Sequence, residues 1–293
     1  MTGALVTDVE VFDARSLRRH DAGADAFAQA MRGRTILSAV RRGKFLWFPL
    51  APGGPADAPE ALTAHLGMSG QLLLREPGTV DRLTRVRLGL QHPVHGELQV
   101  NFVDQRIFGH LAVDVLVPTA DALPGGFGGA TDAQPAVPSR VAHIARDPLD
   151  AAFDERAFVE RLRRRATGVK RAILDQTLVS GIGNIYADEA LWAARLHFEQ
   201  RADSLSVKKA RQLLGEVKTV LTKALAEGGT SFDAQYVNVN GASGYFAHSL
   251  NAYGRQGEPC ARCGRLIERR SFMNRSSHFC PRCQRLRAPV TPS

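Results

Sequence analysis

Polar and apolar residues alternate over the first third of the chain. Period-two runs predict short strands at 5–12, 35–40, 45–50, 62–66, 71–75, 85–90, 97–102 and 111–116. Short strands at this spacing predict a sandwich, interrupted by one helix over 22–31. The stretch 118–138 breaks the pattern with Pro, Gly and Ala, including Leu123-Pro-Gly-Gly-Phe-Gly-Gly, and reads as a hinge. Beyond it the apolar period lengthens to that of a helix. Asp150 is the expected cap of a helix presenting Phe153, Phe158 and Leu162 on one face. Further helices are expected over 169–177, 184–194 and 206–226, the last ended by Gly228-Gly229. Residues 230–257 carry no period, and an irregular segment of that length is usually either functional or disordered. The expected class is multidomain α+β: a β-sandwich over 1–116, a hinge over 117–144, a helical domain over 145–229, a loop over 230–253, a cysteine-bearing module over 254–288 and a tail over 289–293.

Composition narrows the function. Hydrophobic residues make up 44% and charged residues 23% of the 293, as in globular proteins, which excludes a disordered chain. No apolar run approaches the ~18 residues of a membrane span, and the first twenty residues lack the apolar core of an export leader. A soluble, cytoplasmic protein with no membrane partner is expected. Charge is uneven. The formal net charge is +9, and residues 254–293 alone hold nine Arg against two Glu; 161–171 adds six basic residues and no acid. Such clusters mark either solvated faces or a polyanion partner, where phosphate contacts release counterions.

All four cysteines lie near the end, as Cys260-Ala-Arg-Cys263 and Cys280-Pro-Arg-Cys283 with sixteen residues between the pairs. Two residues between thiolates let a tight turn aim both sulfurs at one tetrahedral ion, and the intervening stretch has room for a hairpin. One structural Zn²⁺ held by Cys260, Cys263, Cys280 and Cys283 is expected, and four thiolates leave no coordination position for His278 or for chemistry.

Between two helical patterns lies Leu178-Val-Ser-Gly-Ile-Gly-Asn184, which reads either as a tight helix–helix turn or as an anion site at a helix N-terminus. Here a resemblance enters. Lys170, Asp175-Gln176, Gly181-Ile-Gly-Asn184-Ile-Tyr-Ala and Glu189 resemble the helix-two-turn-helix element of the formamidopyrimidine-DNA glycosylase family of bacterial base-excision repair enzymes. Arg41-Arg-Gly-Lys44-Phe-Leu, His65-Leu-Gly-Met68-Ser-Gly, Asp104-Gln-Arg106-Ile-Phe108-Gly, Gly244-Tyr-Phe and Asn274-Arg275-Ser-Ser-His-Phe-Cys280 follow in the family's order.

The resemblance implies a monomeric glycosylase and abasic-site lyase that flips oxidised purines out of double-stranded DNA. It implies that Met68, Arg106 and Phe108 fill the void left by the flipped base. Lys44 would contact phosphate near the lesion and assist elimination; Lys170, Asn184 and Arg165 would contact phosphates. Arg275, on the zinc hairpin, would grip phosphates around the lesion and assist δ-elimination. Residues 231–254 would close over the extruded base, and with Met68 they point to the oxidised-purine branch. The family opens Pro-Glu-Leu-Pro-Glu, with the Pro amine as nucleophile and the neighbouring Glu as proton donor. This sequence begins Met1-Thr2-Gly3 and joins the pattern at the family's first strand, so a start further upstream is expected. A chain without that helix is expected to bind damaged or abasic DNA without cutting it; a covalent adduct formed by such a chain would point to a substitute amine, Thr2 or Lys44. A zinc-stabilised RNA-binding protein is the third class, and the void-filling trio argues against it.

Overall fold

The computed structural model describes residues 1–55, 57–128, 134–229 and 246–287. The chain divides into two compact units, one running from Met1 to His143 and the other from Ile144 onward.

The first unit is built from β1 (Leu5–Val11), α1 (Gly23–Met31), β2 (Val40–Arg42), β3 (Phe45–Leu50), β4 (Glu60–His65), β5 (Gln71–Arg75), β6 (Thr84–His92), β7 (Gly96–Val103), β8 (His110–Pro118) and β9 (Ala136–Pro138). One antiparallel sheet runs β1-β6-β7-β5 and the other β2-β3-β4-β8-β9. Val6, Val86, Leu88 and Val100 from the first sheet share a core with Phe48, Leu50, Leu62 and Leu111 from the second. That shared core makes the pair of sheets a sandwich. Alternation explains it: in β6 every second residue (Val86, Leu88, Leu90) is buried. Helix α1 contributes Phe27 and Met31, both fully buried.

Two expectations are corrected. The strand expected over 35–40 is instead a crossing: Thr35 bridges to Leu5 in one sheet and Ile36 to Leu50 in the other, and regular pairing starts only at Val40. Much of the expected hinge is folded onto the sandwich. Val137 pairs with Val117 in β8, Phe127 bridges to Arg41, and the amide of Gly125 donates to the Gln134 carbonyl.

The second unit contains α2 (Glu155–Arg163), α3 (Val169–Leu174), α4 (Asn184–Ala193), α5 (Val207–Ala226) and a hairpin of β10 (Glu268–Phe272) and β11 (Arg275–Phe279). Asp154, not Asp150, caps α2, its carboxylate accepting the Ala157 amide at 2.9 Å. Phe153 just before the cap packs on Phe158 at 5.8 Å between ring centroids, a hydrophobic staple that fixes the chain's entry. Asp150 is instead paired with Arg146 at 2.8 Å. Helix α3 stops earlier than its apolar period suggests because the Asp175 carboxylate takes the Thr177 amide (2.9 Å) and hydroxyl (2.7 Å). Leu162, Ile173, Ile182, Leu191, Leu213 and Val217 form the helical core, and Phe279 of the hairpin joins it.

Candidate nucleic-acid interface and metal centre

In the first unit, His65 at the end of β4 pairs with His110 at the start of β8, so the loops holding Met68 and Arg106–Phe108 leave the same end of one sheet. They touch closely. Gly67 has φ +63, and a Cβ there would lie 2.6 Å from the Phe108 carbonyl carbon and the Gly109 amide, so only glycine fits. Met68 is 61% and Phe108 53% exposed, and Arg106 is exposed between them. Two large apolar side chains are thus exposed on neighbouring loops, as interaction surfaces tend to be. Lys44 is exposed in the two-residue turn between β2 and β3. Phe45, its neighbour, pairs with His65, which brings this turn to the same end of the sheet.

His65 and His110 stack at 5.4 Å. Burial, then the charges of Lys44 and Arg18, pull His65 below the usual imidazole value. Burial, then His65 and nearby arginines, bring His110 down to about 4. Both rings are therefore neutral at pH 7, and His65 Nδ1 accepts the Gly67 amide at 3.1 Å.

In the second unit, Asn184 opens α4 directly after Gly183, donating from Nδ2 to the Ser276 carbonyl at 3.0 Å. Arg275 is exposed at the start of β11. Arg165 pairs with Asp175 at 3.2 Å at the surface. Lys170 corrects the expectation. It is 0% exposed, its Nζ 2.7 Å from Asp188 Oδ1, donating to Ser277 Oγ at 2.7 Å and the Ser276 carbonyl at 3.2 Å, and it lies over the Phe272 ring. An ammonium has three protons, and all three are taken, so Lys170 is not a surface charge for phosphate. Burial holds its pKa below the usual lysine value; Asp188 offsets only part of that, and Arg275 adds to the lowering. Asp188 also accepts the His278 amide at 2.9 Å, so the buried pair bolts β11, and with it Arg275, to the helices.

Sequence reasoning did not single out Asp188. Nor did it assign a task to Glu189, whose carboxylate takes the amides of Asn251 (2.9 Å), Ala252 (2.8 Å) and Tyr253 (2.9 Å). The available signal was two adjacent acids in a helix otherwise lined by Ile185, Ala187, Ala190 and Leu191. Of the expected capping segment, residues 230–245 lie outside the described residues.

The four cysteine sulfurs lie within 4.8 Å of one another, with Cys263 and Cys280 3.5 Å apart. A tetrahedral ion with Zn–S of ~2.3 Å needs sulfurs roughly 3.8 Å apart, so the donor set fits one structural zinc. Gly264, φ +71, donates its amide to the Cys260 carbonyl at 2.9 Å and closes the first knuckle. Trp192 of α4 donates its indole N–H to Cys260 Sγ at 3.4 Å, which anchors the knuckles to the helices. Among the described residues no helix is long and apolar enough to cross a membrane.

Comparison with known proteins matches these parts in order. The formamidopyrimidine-DNA glycosylase N-terminal domain matches residues 1–111, the formamidopyrimidine-DNA glycosylase H2TH domain 144–235, and the zinc finger found in FPG and IleRS 257–286. Formamidopyrimidine-DNA glycosylase of Leifsonia xyli is 61% identical over 287 residues, covering 98% of this chain and 94% of that protein. That of a Nocardioides species is 53% identical over 96% of this chain and 88% of its own. Among solved structures, Lactococcus lactis Fpg in complex with DNA containing an abasic site superposes with a TM-score of 0.76 at 27% identity, covering 97% of this chain and 94% of that one. MutM (FPG) of Thermus thermophilus gives 0.75 at 33% identity, covering 98% and 94%. The chain belongs to the formamidopyrimidine-DNA glycosylase family.

Proposed function

We propose that this chain excises oxidised purines, 8-oxoguanine and formamidopyrimidines, from duplex DNA and then cleaves the abasic strand by β- and δ-elimination. The observation that carries the reading is the 61% identity to a formamidopyrimidine-DNA glycosylase along 98% of the chain. Similar folds bound to Fapy-dG-containing and abasic DNA support the partner.

Extruding a base leaves a gap and an orphaned partner. Met68, soft and unbranched, fills an irregular gap; Phe108 wedges between base pairs; Arg106 hydrogen-bonds the orphaned base. Lys44, Arg165, Asn184 and Arg275 meet phosphates. Lys170 acts one step back, holding the strand that carries Arg275. Residues 117–144 connect the sandwich to the helical domain at 145–229, residues 230–253 close over the extruded base, and 254–288 form the zinc finger. The chemistry needs an amine that attacks C1′ as the base leaves with a proton; the resulting iminium acidifies C2′, and loss of the 3′ and then the 5′ phosphate follows. Lys44 and Arg275 assist these eliminations. The protein works as a monomer in the bacterial cytoplasm, on the nucleoid.

Strand cleavage tests this. A duplex with 8-oxoguanine opposite dC is expected to be nicked faster than one with an oxidised pyrimidine. The reverse order would overturn the purine assignment. Tight abasic-site binding with no nicking of either duplex would favour a non-catalytic DNA-binding protein.

A further inference from the structure

The loop carrying Arg106 and Phe108 is held from two sides by charged groups outside the trio. Arg18 follows the short 3-10 turn Ala14–Leu17. Its Nη1 donates to the carbonyls of Ile107 (3.2 Å) and Gly109 (2.7 Å), and its Nη2 to that of Phe108 (2.6 Å). Three consecutive carbonyls thus converge on one guanidinium, a geometry only a planar fork of donors can serve. On the other side stands Asp104, fully buried. Its Oδ2 accepts the Gly109 amide at 2.7 Å, and its Oδ1 accepts the Arg106 amide at 3.2 Å and the Ser69 hydroxyl at 2.6 Å. One carboxylate therefore ties the Met68 loop to the Arg106–Phe108 loop. Between the two clamps Ile107 has φ +55, a left-handed conformation that a β-branched side chain disfavours. A loop left to itself would relax. It keeps this shape because charge-assisted hydrogen bonds, roughly twice as strong as neutral ones, hold it on both sides.

We propose that Arg18 and Asp104 are positioning residues that fix Met68, Arg106 and Phe108 in their inserting conformation before DNA arrives. The proposal rests on the reading of that trio as the group that fills the void. Its physical content is preorganisation: a loop already ordered loses little conformational entropy when it enters the duplex. Undamaged DNA, bound through phosphates alone, gains nothing from it.

The test uses the full zinc-loaded chain and a duplex bearing a tetrahydrofuran abasic analogue opposite dC, with 2-aminopurine beside the lesion. R18A and D104N are expected to lower the preference for this duplex over an undamaged one about tenfold. They are also expected to reduce the rise in 2-aminopurine fluorescence that reports unstacking, while affinity for undamaged DNA stays unchanged. R18K recovers part of the preference, since an ammonium reaches some of the carbonyls. If D104N does not fold, S69A, which removes one hydroxyl from the same carboxylate, carries the same expectation. The triple variant M68A/R106A/F108A separates the two layers of the argument. If it loses the preference while R18A and D104N (or S69A) keep it, the brace is refuted. If the triple variant itself keeps the preference, the reading of the trio fails and the brace falls with it.

Discussion

The end of the sandwich sheet and the junction of helices with zinc hairpin both present family motif residues, yet they are built in opposite ways. At the sheet end the motif residues themselves are outside: Met68 and Phe108 are largely exposed, and the charge that supports them, Asp104, is buried beneath. At the junction the motif lysine is the buried support, while Asn274 and Arg275 at the hairpin turn face out. A basic residue in a motif of this family is thus not always exposed: Lys170 is buried against Asp188 and Ser277.

Removing the metal should break the second region and spare the first, with the largest effect. Structural zinc contributes about 10–16 kcal/mol in zinc-finger peptides. Chelation, or Cys280→Ser, is expected to unfold residues of the 254–287 module and abolish tight DNA binding, while the sandwich keeps its own melting transition in calorimetry. A melt unchanged by chelation would show that the knuckles need no ion.

Next in size is the buried pair. Asp188→Asn strands the Lys170 ammonium and should cost about 3–5 kcal/mol, read as a drop in Tm. The double variant Lys170→Met/Asp188→Leu sharpens the comparison, because replacing a buried ion pair by apolar groups is often neutral. It should regain most of the stability and keep the salt dependence of DNA binding. A shallower salt slope in that variant would restore Lys170 as a phosphate contact.

Arg275→Ala is expected to change stability by no more than about 0.5 kcal/mol. It should lower the slope of log K against log salt by about 0.9, one phosphate's share. An unchanged slope would remove Arg275 from the interface.

The smallest effect belongs to the first region. His110 is held at about 4 in the folded protein, below the ~6.5 of an unfolded chain, so the unfolded state binds its proton first. Stability from this group is fully present above ~6.5 and is lost as pH falls toward about 4. Tm of the parent should fall over that window, and His110→Gln should fall less; identical profiles would contradict the shift.

Much of this was legible in the sequence. The alternation in β6 and the apolar stripe of α5 placed their elements well, since one face of each is buried against a continuous core. The cysteine spacing located the metal centre, and the sulfurs do converge. Long-range partners were not legible. Nothing local says that Lys170 meets Ser276 and Ser277 across more than a hundred residues, or that residues 35–36 pair with two different sheets. Caps also slipped, because Asp150 and Asp154 both precede the same apolar run and only the packing of Phe153 on Phe158 selects the second.

Borohydride trapping of this chain on a duplex holding one 8-oxoguanine opposite dC tests the glycosylase and lyase reading in one step. A covalent protein–DNA adduct is the predicted result. No adduct, together with tight binding to an abasic duplex, would contradict it.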